Sequence, residues 1–241
     1  MVDSEKEFNQ FVQEDHFLAE RTIRASNQDV LDEYIDQLLC KNGEDYFYVN
    51  CGVGGAQYGQ GMYCAADYTK GKIGLSNFQH EIDQYSKMNG AGCYKVEWLT
   101  LDKSAKILKL PYGEKADEYI ADRYIEAYIK KHSRASDETI NKYIALNSRR
   151  YTVSSSEYDD LMREIAELKR EIGDDVFKQA TNATMYKSNG SKFPRVKDPG
   201  VLAAEMGYDA INAVEHGATK SYTVVLNRTK VIFYGGENYV P

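Results

Sequence analysis

The chain has 241 residues, 42% of them hydrophobic and 28% charged, a globular composition that points away from a disordered, collagenous or membrane protein. At this length roughly 70% of the surface exposed by the unfolded chain can be buried, so one or two domains hold a core without disulfides or a structural metal. Lys and Arg number 30 and Asp and Glu 37, and the formal charge of -7 disfavours an extended, sequence-independent grip on nucleic-acid phosphates.

Residues 3–14 can form a short polar helix. Ser26-Asn27-Gln28-Asp29 is a capping-box signal ahead of Val30, Leu31, Tyr34, Ile35, Leu38 and Leu39 at helical spacing, and Asn42-Gly43 ends that helix. The β-prone run Tyr46-Phe47-Tyr48-Val49 follows, then a glycine-rich segment from Cys51 to Gly61 with five glycines in eleven residues. A second helix is expected over 77–88, stopping at Asn89-Gly90. Cys93 to Leu101 reads as a strand with Val96, Trp98 and Thr100 on one face, and Ala105 to Leu110 as another before Pro111.

Residues 113–181 change character, being rich in Glu, Lys, Arg, Ala and Tyr. Apolar spacing at Leu161, Ile165, Leu168 and Ile172 predicts three or four helices in this block. Ser136 and Ser156 are candidate N-caps and Gly173 a candidate C-cap. The stretch 182–200, with Ser188-Asn189-Gly190-Ser191 and Asp198-Pro199-Gly200, reads as loop. Three strands follow at Tyr208–Ile211, Tyr222–Leu226 and Lys230–Tyr234, the last two joined as a hairpin through Asn227-Arg228-Thr229. Strand-rich ends thus flank a helical middle, and the simplest architecture is one α+β domain over 1–241 whose sheet pairs both ends, with a helical insertion at about 113–181.

No stretch approaches the ~18 apolar residues of a membrane span, and Met1-Val2-Asp3-Ser4-Glu5-Lys6 lacks a basic-then-apolar signal pattern, so an intracellular protein at synthesis is expected. Cys40, Cys51, Cys64 and Cys93 contain no CxxC pair, and His16, His80, His132 and His216 lack metal-ligand spacing. Reduced, structural cysteines and no metal site are expected. Twenty tyrosines, against 8 Phe and 1 Trp, supply aromatic surface that carries hydroxyls.

The glycine-rich segment lets backbone amides approach a phosphate or flat ring, and it also suits a turn-rich hairpin tip. A dinucleotide fingerprint fails at Gln57, and a P-loop fails because Met62-Tyr63 follows Gly61. What comes next is more specific: Gly59-Gln60-Gly61-Met62-Tyr63-Cys64-Ala65-Ala66-Asp67-Tyr68. This Gly-x-Gly-Met-Tyr-x-Ala run with a second Tyr resembles the nicotinamide-binding segment of ADP-ribosyltransferases, especially their poly(ADP-ribose) polymerase-like branch.

The segment from Gly207-Tyr208-Asp209-Ala210-Ile211 through Ser221-Tyr222-Thr223-Val224-Val225-Leu226-Asn227 to Ile232 is similar to the end of ADP-ribosyltransferase domains found beside bacteriophage minor head proteins. Glu20-Arg21-Thr22 sits where toxin-type members keep an Arg that contacts NAD. The resemblance covers roughly 16–110 and 200–235. It implies a split β-sheet core, with NAD as substrate bound by Arg21, Gly59, Gly61, Tyr63, Tyr68 and Ser221, and with Tyr63 and Tyr68 sandwiching the nicotinamide. The family's acidic residue before Val-Val-Leu-Asn is Ser221 here, and the nearest acid is Glu215. Either Glu215 folds back as the catalytic carboxylate, beside Tyr63 and Arg21, or the chain lacks one. Arg21 reads equally as an ion-paired strand residue, with Arg24 as a nearby competitor, and Glu215 by default as a solvated surface acid.

The implied activity is mono-ADP-ribosyl transfer from NAD to an acceptor, most simply a protein side chain. The alternatives are NAD glycohydrolysis and a non-enzymatic interaction module in a phage or toxin assembly. The resemblance admits association with a phage virion or delivery to a host cell.

Overall fold

The computed structural model describes residues 18–25, 27–38, 50–51, 61–67, 93–110, 116–186, 195–214, 221–234 and 238–239. The elements are β1 (Leu18–Ala25), α1 (Gln28–Leu38), β2 (Asn50–Cys51), β3 (Gly61–Asp67), β4 (Cys93–Leu101), β5 (Ile107–Lys109), α2 (Ala116–His132), α3 (Asp137–Arg149), α4 (Ser155–Ile172), α5 (Asp174–Ala183), β6 (Met185–Tyr186), β7 (Arg195–Val196), α6 (Pro199–Glu205), β8 (Ala210–Val214), β9 (Ser221–Val225), a 3-10 turn (Arg228–Lys230), β10 (Val231–Tyr234) and β11 (Asn238–Tyr239). The fold class is α+β. The chain divides into two compact units, one made of Met1–Gly113 with Gly207–Pro241, the other of Glu114–Met206. The expected helices at 3–14 and 77–88, the strand at 46–49 and the helix stop at Asn42-Gly43 lie outside the described residues.

In the first unit α1 starts at the predicted signal, and the cap is Asn27, whose Oδ1 accepts the Val30 N–H at 3.0 Å. The sheet runs β10-β4-β1-β3-β9-β8-β5, with β11 also on β4 and β2 also on β3. N-terminal β3 and β4 thus pair with C-terminal β9 and β10.

β9 and β10 do not form the expected hairpin, because β9 lies between β3 and β8 while β10 pairs with β4. Laid flat, the four strand spacings from β9 to β10 would separate them by about 19 Å. The five linking residues, three of them in a 3-10 turn, reach roughly 16 Å at most. The sheet therefore curls until both ends share one core, in which Met62, Cys64, Ala210 and Val225 pack with Leu99, Leu101 and Phe233.

One buried carboxylate holds the link in place. Asp209 Oδ2 accepts the Lys106 N–H at 2.8 Å and its Oδ1 accepts Asn227 Nδ2 at 2.8 Å. The Asp209 carbonyl takes the N–H groups of Leu226 and Asn227, and the side chain of Asn227 caps Thr229 N–H at 3.1 Å.

The second unit contains four helices where three or four were expected for the middle block, and it continues beyond that block. Leu161, Ile165, Leu168 and Ile172 form the buried stripe of α4, against Ile129 of α2 and Ile140, Tyr143 and Leu146 of α3. Ser136 Oγ caps α3 by accepting Thr139 N–H at 3.1 Å. Ser156 is not a cap: α4 begins at Ser155, and Ser154 holds the cap position, bonded to Glu157 at 2.6 Å. Gly173 ends α4 at φ 114°, a conformation open to glycine, and passes directly into α5.

The described residues of the expected loop at 182–200 include regular elements. β6 pairs with β7, and Asp198 caps α6 by accepting Gly200 N–H at 2.9 Å, with Pro199 at the first helical turn. The Asp-Pro-Gly run is a helix start because proline needs no N–H there and aspartate satisfies those that follow.

Candidate functional site

β3 is the centre of the candidate site. Its register pairs Met62 with Val225, Tyr63 with Val224, Cys64 with Thr223, Ala65 with Tyr222 and Ala66 with Ser221. The two segments that carry the family resemblance, distant in sequence, are therefore neighbouring strands. Tyr63 is half-buried, whereas Met62 and Cys64 are buried in the core.

Gly61 opens β3 at φ 154°, and a Cβ there would lie 2.4 Å from Val224 Cγ1. The close approach that this glycine permits is thus made by Val224.

Strand alternation sorts the other residues by face. Met62 and Cys64 mark the inner face of the curled sheet, and Gly61, Tyr63 and Ala65 belong to the outer one. On β1, Glu20 pairs with Ala65 and Trp98, and Ala19 with Ala66 and Leu99. Glu20 and Arg24 accordingly share the outer face with Tyr63, while Arg21, across from Glu97, has an inner-face position. Ser221, paired with Ala66, also falls on the inner face. Gly59, Tyr68, Glu215 and His216 lie outside the described residues.

The ladder between β1 and β3 ends at Glu20 and Ala65, although β1 continues along β4 as far as Ala25. Farther along that edge of β3, Gly61 and Met62 pair with β2 instead. β1 and β3 thus part beside Tyr63, with Glu20 in the last pair before the parting. Sequence reasoning found Tyr63 from its local motif but had no signal for the face of Glu20, which depends on strand pairing.

The helical unit holds a separate polar cluster that the sequence did not single out. Glu126 of α2 is 5% exposed, and its Oε1 accepts Arg123 at 2.5 Å and Asn147 Nδ2 at 2.9 Å. Burial pushes the Glu126 carboxyl above its ordinary value, against the opposing effects of Asn147, Arg123 and Lys130. Tyr143 is likewise pushed up, first by burial and then by Glu126. Next to this cluster, Asp122 accepts from Arg150 and from the Tyr151 hydroxyl.

Among the described residues no three His, Cys, Asp or Glu side chains gather as a metal site, and no helix is long and apolar enough to cross a membrane. No family model, curated protein or solved structure matches the chain.

Proposed function

We infer that the protein is a mono-ADP-ribosyltransferase with the split β-sheet core of that family, transferring ADP-ribose from NAD to an acceptor, most simply a protein side chain. The observation that carries this reading is the pairing of Tyr63 with Val224, which sets the nicotinamide-type motif beside the C-terminal family-like strand.

The chemistry matches the residue types. Cleavage sends the electron pair of the C1′–N glycosidic bond to nicotinamide and leaves oxocarbenium character on the ribose. A carboxylate bonded to the 2′-hydroxyl stabilises that charge as it develops, and the acceptor then bonds C1′ and loses its proton. Tyr63, with Tyr68, would stack on the leaving ring. An arginine of β1, Arg21 or Arg24, would hold the diphosphate through its planar fork. The resemblance gives the carboxylate role to Glu215.

The test is incubation of the full chain with labelled NAD and a bacterial lysate, following free nicotinamide and labelled protein. Transfer labels one or a few acceptors, and Tyr63→Ala abolishes the signal. Nicotinamide release without a labelled acceptor identifies a glycohydrolase, and absence of NAD binding by calorimetry leaves an interaction module.

A further inference from the structure

We propose that the turn after β4, together with Lys230, is a docking surface for an acidic segment of a partner protein. The surface is independent of the NAD reading and belongs wholly to the first unit. Ser104 is its hub. The Ala105 N–H closes the turn by donating to the Asp102 carbonyl at 2.9 Å, and Asp102 Oδ1 accepts both the N–H and the hydroxyl of Ser104, at 2.8 and 2.5 Å. The Ser104 hydroxyl accepts Lys230 Nζ at 2.7 Å, and the Lys230 carbonyl takes the Asp102 N–H at 2.7 Å. Lys103 stands one residue before Ser104 and Lys106 two after it, so their Cα atoms lie within about 4 and 7 Å of the serine's. One hydroxyl thus gathers three lysines at about the screening distance of physiological salt, roughly 8 Å.

Lys103, Ser104, Lys106 and Thr229 are exposed and Lys230 is half-buried. None of the three lysines forms an ion pair with a described residue, whereas Lys142 and Lys197 each hold a glutamate. Asp102 offsets one of the three charges. Asp209 is 9% exposed, and its carboxylate is engaged by the Lys106 N–H and the Asn227 side chain. A local positive excess therefore remains on a chain of formal charge -7. The residue types select the partner. Lysines are mobile point charges without the planar fork that clamps a phosphate, and Arg228 beside them is only 6% exposed. Neither the turn 102–106 nor Thr229-Lys230 holds an aromatic ring on which a nucleic-acid base could stack. The overall negative charge also repels a long polyanion, whereas a short run of carboxylates feels mainly the lysines within a screening length.

The experiment follows, by fluorescence anisotropy, binding of the full chain to a short labelled peptide of alternating Glu and Gly and to an oligothymidylate of similar length. Wild type is expected to bind the peptide more tightly than the oligothymidylate, and to lose at least about threefold in peptide affinity between about 50 and about 200 mM salt. Lys103→Glu with Lys106→Glu should weaken peptide binding at least about tenfold. Lys131→Glu with Lys178→Glu, at exposed positions of α2 and α5, makes the same change in net charge and should stay within about twofold of wild type. Ser104→Ala leaves every charge in place but releases Lys230, and should weaken binding by about threefold. No peptide binding by wild type, equal losses in the two charge-reversed variants, or tighter binding of the oligothymidylate overturns the proposal. Wild-type affinity in Ser104→Ala overturns the role of the serine as its hub. Should the Lys103→Glu, Lys106→Glu chain fail to fold, Lys103→Met with Lys106→Met removes the charges without reversing them. A loss of at least about threefold then supports the surface, and unchanged affinity overturns it.

Discussion

A Cβ on Gly61 would stand 2.4 Å from Val224 Cγ1 and 3.0 Å from the carbonyl oxygen of Val225, so the glycine that opens the family-like motif also lets β3 and β9 close on each other. Val224 is fully buried. Gly61→Ala adds both this collision and the cost of a side chain at φ 154°. The expected loss of unfolding free energy is about 3 kcal/mol, measured by urea denaturation. In a Val224→Ala background the penalty should shrink by about 1 kcal/mol as the collision is relieved, with the backbone strain remaining.

Asp209 offers a second test, because its carboxylate bonds both the Lys106 N–H before β5 and the Asn227 side chain in the turn before β10. Asp209→Ala removes the acceptor for two groups and should cost about 2–3 kcal/mol. Asn227→Ala should cost less, and the double variant should fall short of the sum, since one bond is common to both. Hydrogen exchange provides the local readout: the Lys106 amide should lose protection in Asp209→Ala and keep it in Asn227→Ala.

What the sequence made legible was local. The α4 stripe from Leu161 to Ile172 and the Ser136 cap of α3 each depend on residues within about one turn of each other, and both are found where predicted. β4 spans Cys93–Leu101, as its composition indicated. The helix α6 was hidden because Asp-Pro-Gly serves turns and helix starts equally well, and only the Asp198 cap bonds distinguish them. The missing β9–β10 hairpin has a different cause. Asn227-Arg228-Thr229 correctly signals a reversal of the chain, but strand order is set by pairings with β3, β4 and β8 that no local pattern encodes. The candidate site shows the same division. Tyr63 announced itself through neighbouring residues, whereas the separation of Arg21 from Glu20 and Arg24 by face follows from register.

The pH dependence of the helical unit follows from Glu126. Its carboxyl titrates higher in the folded chain than in the unfolded one, burial being the main cause. The folded state therefore holds the proton more tightly. The associated stabilisation is complete below the unfolded-state pKa and is lost as pH rises through the higher folded-state value. Thermal melts should show this contribution growing on acidification across that interval. Glu126→Gln, which keeps acceptors for Arg123 and Asn147, should flatten that part of the profile. An unchanged slope would mean that Glu126 is not the group responsible.

Under the proposed NAD reading, the two arginines of β1 test which sheet face would meet the dinucleotide. Arg24 pairs in register with Tyr94 and shares the outer face with Tyr63, whereas Arg21 stands across from Glu97 on the inner face. Under the proposed NAD reading, a diphosphate belonging to a nicotinamide stacked on Tyr63 would fall to the face that the Arg24 position shares. At fixed ionic strength Arg24→Ala should weaken NAD binding at least about tenfold, the scale of a charge-assisted bond, and Arg24→Lys should restore only part of it because the planar fork is gone. Arg21→Ala should leave the dissociation constant within about threefold and instead lower stability by about 0.5 kcal/mol, an effect that disappears in a Glu97→Ala background. The opposite pattern, with affinity lost at Arg21 and stability untouched, would put the diphosphate on the inner face beside Ser221.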